Sequence, residues 1–82
     1  MPNVIPPLKG WRVVIYPNDH PPPHVHIIGA GVGAKFELHC RLGQVSLMST
    51  NGFTINQLKQ IESYLLSHIA DLCKEWKRIH GP

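Results

Sequence analysis

The chain has 82 residues, a formal net charge of +3, a pI near 9.1 and 43% hydrophobic residues. That describes one small domain, too apolar for wholesale disorder and limited to burying roughly 60–65% of its unfolded surface. Mild basicity permits an acidic partner or a phosphate backbone without demanding either, and no apolar run approaches the ~20 residues of a bilayer span.

Residues 1–10 carry Pro2, Pro6 and Pro7, end in Lys9-Gly10, and read as an extended lead-in to a single α+β domain over 11–82. No charged start followed by an apolar run marks a leader segment. Trp11 to Tyr16 is a strand, rich in residues that suit a pleated surface, and Pro17 stops it. Asn18-Asp19-His20-Pro21-Pro22-Pro23 then forms a stiff loop, because three prolines fix φ and remove three backbone donors. His24 to Ile28 is the second strand. Side chains alternate across a strand, so His24 and His26 share one face and Val25 and Ile27 the other.

Gly29-Ala30-Gly31-Val32-Gly33 is a turn; it lacks the spacing, the lysine and the following helix of a phosphate-cradling loop. Ala34 to His39 is the third strand, and Gln44 to Met48 a weaker fourth after an irregular Cys40–Gly43 link. Thr54 and Gln57 make a capping box, with Phe53 placed to staple onto Leu58. From there Leu58, Ile61, Leu65, Leu72, Trp76 and Ile79 recur at helical steps, giving one long helix over 55–79 with an apolar stripe facing the sheet. Gly81 and Pro82 stop it, and Lys74, Lys77 and Arg78 favour the negative end of its dipole. The expected fold is a small antiparallel sheet of three to four strands with one long C-terminal helix on one face.

Burying the apolar residues of both hairpin strands on one face pairs Ile27 with Phe36 and Val25 with Leu38. His26 then lies opposite Glu37, and His24 opposite His39. A two-residue slip, with Val25 opposite Phe36, is the competing register and puts Glu37 opposite His24. Either way the outer face carries His24, His26, Glu37, His39, Lys35, Tyr16 and Arg12. Asp19 has two readings: a turn former that accepts backbone hydrogen bonds, which the Asn-Asp turn signal favours, or a carboxylate that orients a histidine. His68 reads as a boundary residue of the apolar stripe, and His80 lies at the frayed helix end. Cys40 and Cys73 are far apart, form no metal-spacing motif, and read as reduced thiols of a cytoplasmic protein.

The run from Asn18 to Ile27, Ala34-Lys35-Phe36, Asn51-Gly52-Phe53 and Trp76 resemble, in that order, the signature of the bacterial domain of unknown function 4160 family. The similarity covers roughly residues 10 to 81. It implies a small intracellular protein whose gene often neighbours one of the domain of unknown function 2442 family, in pairs that look like toxin–antitoxin modules. It carries no established chemistry.

Three functions follow. The least demanding is a binding module that docks a partner protein or nucleic acid through the histidine-bearing face, with Arg12, Tyr16, Asp19 and Lys35 as contacts. The second is a site for zinc or another transition metal, using His24 and His26 with a third ligand from His20, Glu37 or His39. The third is metal-independent cleavage of RNA, with His24 and His26 as acid and base. A 25-residue helix is ~37 Å long, more than a sheet of four short strands covers. Leu72, Trp76 and Ile79 should then overhang and bind a second copy or a small partner protein, unless residues 2–8 fold back over Trp76.

Overall fold

The computed structural model describes residues 3–81. Its order is β1 (Asn3–Leu8), β2 (Trp11–Val14), β3 (His24–Gly29), β4 (Val32–His39), β5 (Gln44–Asn51), α1 (Ile55–Ser67) and α2 (Ile69–His80). The five strands form one antiparallel meander in chain order.

The expected lead-in is therefore a strand. Residues Lys9 and Gly10 both have positive φ, 52° and 81°, so a two-residue turn of the I′ kind folds Leu8 back beside Trp11. Residues Pro6 and Pro7 are tolerated because β1 is an edge, where a missing donor faces solvent. Ile5, 6% exposed, enters the core, and the Tyr64 hydroxyl of α1 donates to the Pro6 carbonyl.

The hairpin adopts the slipped register: Val25 faces Phe36, Ile27 faces Ala34, and Gly29 faces Val32. Register is set here by the turn. Gly31, at φ 71°, closes a two-residue Ala30-Gly31 loop, shorter than the four-residue loop that the other pairing requires. Both registers bury the same face, since a two-residue slip preserves alternation. Between β4 and β5 the pairing steps from Lys35↔Ser49 to Phe36↔Leu47, so Met48 is an extra residue on β5.

The single long helix is two. Tyr64's carbonyl would accept from the His68 N–H in an unbroken helix. Instead the Ser67 hydroxyl donates to it at 2.7 Å, and the His68 N–H turns to the Leu65 carbonyl at 3.0 Å. A serine bonding back to its own helix in this way bends or ends it. The start is as expected, with both capping-box bonds formed by Thr54 and Gln57.

That break removes the overhang. Leu72 is fully buried, Trp76 is 7% exposed, and Ile79 packs partly buried against the core of the same chain, with α2 lying along β1. Leu72 and Trp76, expected to overhang, are thus core residues of this chain, and Ile79 packs at the edge of that core. β1, which lies in the fold-back weighed as the alternative, packs against α2, as does β4; Pro2 of that segment lies outside the described residues.

The cysteines are bonded: Cys40, at the end of β4, is joined to Cys73 on α2. The reading of two reduced thiols is corrected. Sequence spacing missed the bond because 33 residues separate two positions that the β4–β5–α1–α2 path brings within 6.0 Å at Cα. No helix among the described residues is long and apolar enough to cross a membrane.

Candidate functional site

The loop between β2 and β3 doubles back on itself. Asp19's N–H donates to the Tyr16 carbonyl at 3.1 Å, and its Oδ2 accepts the Tyr16 N–H at 3.1 Å. This is the turn role read from Asn18-Asp19. The proline run then leads straight into β3, and Pro23's carbonyl accepts the Leu38 N–H of β4 at 2.8 Å, extending the ladder. The loop's two ends are held by backbone bonds, and the carboxylate is carried over the start of β3.

There it meets both histidines. His26 Nε2 lies 3.2 and 3.3 Å from the two Asp19 oxygens, and His24 Nε2 lies 3.5 Å from Oδ1. One ligand atom from each of Asp19, His24 and His26 can be chosen so that all three lie within 4.8 Å of one another. The cluster is sheltered: the side chains of His24, Asp19 and His26 are 8%, 14% and 22% exposed. His24 Nδ1–H donates to the Pro22 carbonyl at 2.8 Å, which leaves its Nε2 lone pair directed at the carboxylate. Tyr16 packs edge-on against His26, and the two histidine rings pack edge-on against each other.

Burial raises the Asp19 pKa, but the Tyr16 N–H, the His26 hydrogen bond and the nearby imidazoles outweigh it, so the carboxyl sits below its ordinary value. Asp19 is therefore an anion at neutral pH, facing two imidazole nitrogens.

Alternation does set His24 and His26 opposite Val25 and Ile27, yet His24 is not free of the helices. Trp76 of α2 lies 5.4 Å from the His24 ring, centroid to centroid, and the His80 ring stacks on the same indole at 3.9 Å. His80 is thus packed rather than frayed; its Nε2 is buried without a hydrogen-bond partner.

None of His20, Glu37 and His39, expected beside the two histidines, joins their cluster. His20 is exposed on the loop, outside the cluster. Glu37 is the register partner of His24, but its carboxylate turns to His39 Nδ1 at 3.7 Å, and His39 Nε2 meets the Ser46 hydroxyl at 2.8 Å. Asp19 stands beside them instead, both accepting the turn's backbone N–H and facing the imidazoles, the two roles that had been weighed as alternatives. Its Asn-Asp turn signal was visible; the signal that it also faces the imidazoles lay in the way the proline loop returns, which spacing does not show.

Lys35 is the register partner of His26, and the row across the outer face reads Val14, His26, Lys35, Ser49. Val14 is 1% exposed although it lies outside the helix-side core, so the outer face is closed over beside His26. Arg12 is exposed opposite Ile28, at the far end of β3. Two open clefts of about 310 Å³ each flank Lys35. One is bordered by Asp19, His24, the Pro21-Pro22 segment and Met48; the other by His26, Ser49, Thr50 and Asn51.

Residues 10–77 match the family described as "Domain of unknown function (DUF4160)", a description that assigns no activity. Comparison with curated proteins and with solved structures finds no match. The matched span contains Asp19, His24, His26, Lys35 and Trp76, and it is most of the chain. The chain belongs to the domain of unknown function 4160 family.

Proposed function

We propose that this domain binds a divalent transition metal ion, zinc foremost, through His24 Nε2, His26 Nε2 and the Asp19 carboxylate. The observation that carries the reading is the convergence of these three groups in a sheltered cluster. Two ligands on a tetrahedral ion with bonds of 2.0–2.2 Å stand about 3.3 Å apart. The two histidine nitrogens stand 3.5 and 3.2 Å from the carboxylate oxygens. The His24 Nδ1–H bond to a backbone carbonyl supports the same reading, because such a bond fixes the tautomer that offers Nε2 to a metal.

Three protein ligands leave a coordination position for water or a substrate, and the cleft beside Asp19 and His24 gives that position room. A two-histidine, one-carboxylate set suits zinc in hydrolytic centres and iron(II) in oxygen chemistry. The ion competes with protons for the imidazole nitrogens and the carboxylate, so affinity falls as pH drops.

Metal content of protein purified without chelator, followed by zinc titration of stripped protein, tests the proposal. The expected result is one ion per chain. Asp19→Asn keeps an oxygen for the Tyr16 N–H while removing the charge, and His26→Ala removes the least buried of the three side chains; each should weaken zinc binding at least tenfold with the fold retained. Wild-type protein that takes up no zinc, iron, cobalt or nickel at micromolar concentration would refute the proposal. So would variants that bind as well as wild type. Metal-free protein that degrades RNA would instead favour the acid–base reading of His24 and His26.

A further inference from the structure

We infer that the outer-face cleft holds a phosphate group, bridged between the metal ion and the ammonium of Lys35. The inference rests on the metal reading and adds to it the class of ligand.

Three observations lead there. First, Lys35 stands directly across from His26 and lines both clefts, the one that Asp19 and His24 border and the one that His26 borders. Second, its charge is uncompensated. Among the described residues the carboxylates of Asp19, Glu37, Asp71 and Glu75 are each paired with a histidine or an arginine, and none is within ion-pair distance of Lys35. Lys35 is half-buried and lines the same cleft as Asp19, whose carboxylate turns to the histidines. Third, the chain deforms its own sheet here. The extra residue in β5 shifts the β4–β5 register between Lys35 and Phe36, and Met48 lines the cleft with Asp19, His24 and Lys35. Bulges next to sites re-aim side chains in this way.

The charges select the ligand. A divalent ion, one carboxylate and two neutral imidazoles leave a net +1, and Lys35 raises it to +2. A phosphomonoester dianion neutralises that sum. A lysine supplies a point charge to a phosphate oxygen, without the planar fork that an arginine offers to carboxylates. The second cleft, with Ser49, Thr50 and Asn51, provides hydroxyl and amide groups where the remainder of a phosphate ester would lie.

The test uses protein loaded with one equivalent of zinc and freed of excess metal. Inorganic phosphate is titrated by calorimetry, then a phosphomonoester and a phosphodiester of the same alcohol. The expected result is phosphate binding that disappears when the zinc is removed. Lys35→Met should keep zinc affinity within twofold and lose at least tenfold in phosphate affinity; Lys35→Arg should recover most of it. The ester arms decide whether the natural ligand is a terminal or an internal phosphate, and binding of either supports the proposal. Zinc-loaded wild type that ignores millimolar phosphate overturns this inference alone, as does unchanged phosphate affinity in Lys35→Met. Failure to bind zinc overturns the metal reading and this inference together.

Discussion

Reducing the bond between Cys40 and Cys73 is expected to remove about 3.7 kcal/mol of stability, by the entropy of closing a loop across the 33-residue separation of the two cysteines. That is large for a domain of this length, whose total stability should be of order 4–12 kcal/mol. It corresponds to a fall in melting temperature of roughly 15–30 °C. The bond is reachable, since Cys40 is exposed and Cys73 half-buried at the surface of α2. Urea unfolding, followed by the fluorescence of Trp11 and Trp76, measures the effect with and without dithiothreitol. Because replacing sulfur by oxygen at an exposed and a half-buried position leaves little cavity, the reduced wild type and the Cys40→Ser/Cys73→Ser double variant should unfold at nearly the same midpoint. Both should fall well below the oxidised protein. Two titratable thiols in native protein purified without reductant would refute the bond. Oxidised and reduced midpoints that coincide would refute the claim that it restrains the unfolded chain.

The remaining expectations concern the site and its supports. In metal-free protein the lowered Asp19 pKa means that its ionised form is favoured by folding; that stability is present above the unfolded carboxyl pKa and lost as pH falls through the lower folded value, and an acid titration of unfolding in which Asp19→Asn and wild type change in parallel would contradict it. Gly52→Ala should cost about 1–3 kcal/mol in urea unfolding, because φ is 91° there and an added Cβ would lie 2.8 Å from Val32 Cγ1 and 3.1 Å from the Gly31 carbonyl. Trp76→Ala should cost about 3–5 kcal/mol, since the indole fills the core and packs against both His24 and His80, and should leave the sedimentation coefficient unchanged; a variant as stable as wild type would mean that the indole is not core.

What the sequence made legible was what depends on nearest neighbours in chain and period. β-Branched and aromatic runs placed β2 to β4, and the Thr54–Gln57 capping box located the start of α1 to the residue. Alternation sorted His24 and His26 from Val25 and Ile27. What was missed needs contacts between distant segments. β1 looked like a lead-in because two prolines lower strand propensity, and only its edge position excuses them. The helix break at His68 turns on one hydroxyl, Ser67, competing for the Tyr64 carbonyl, and the apolar stripe continues through it without a gap. The disulfide and the third member of the site, Asp19, are both products of chain return, which no local pattern encodes.

Those same misses explain how so small a chain can keep a polar cluster sheltered. Removing Asp19 and the two histidines from water costs free energy unless each group is bonded. The chain supplies the bonds locally, from the Tyr16 N–H and the Pro22 carbonyl, so little extra sequence is needed to satisfy the cluster. Position is a separate problem. His24 is backed by Trp76, so its placement depends on where α2 sits. α2 is short, begins without a side-chain cap, and is separated from the well-capped α1 by the break at His68. It is fixed instead by the tertiary contacts that spacing did not reveal: β1 along one side, and a covalent bond at Cys73, one turn before Trp76 on the same helix, to the end of β4. β4 is also the strand that carries Lys35. The disulfide thus ties the helix that backs one proposed ligand to the strand that carries the proposed phosphate contact, which is the support a site of this geometry needs in a domain with so small a core.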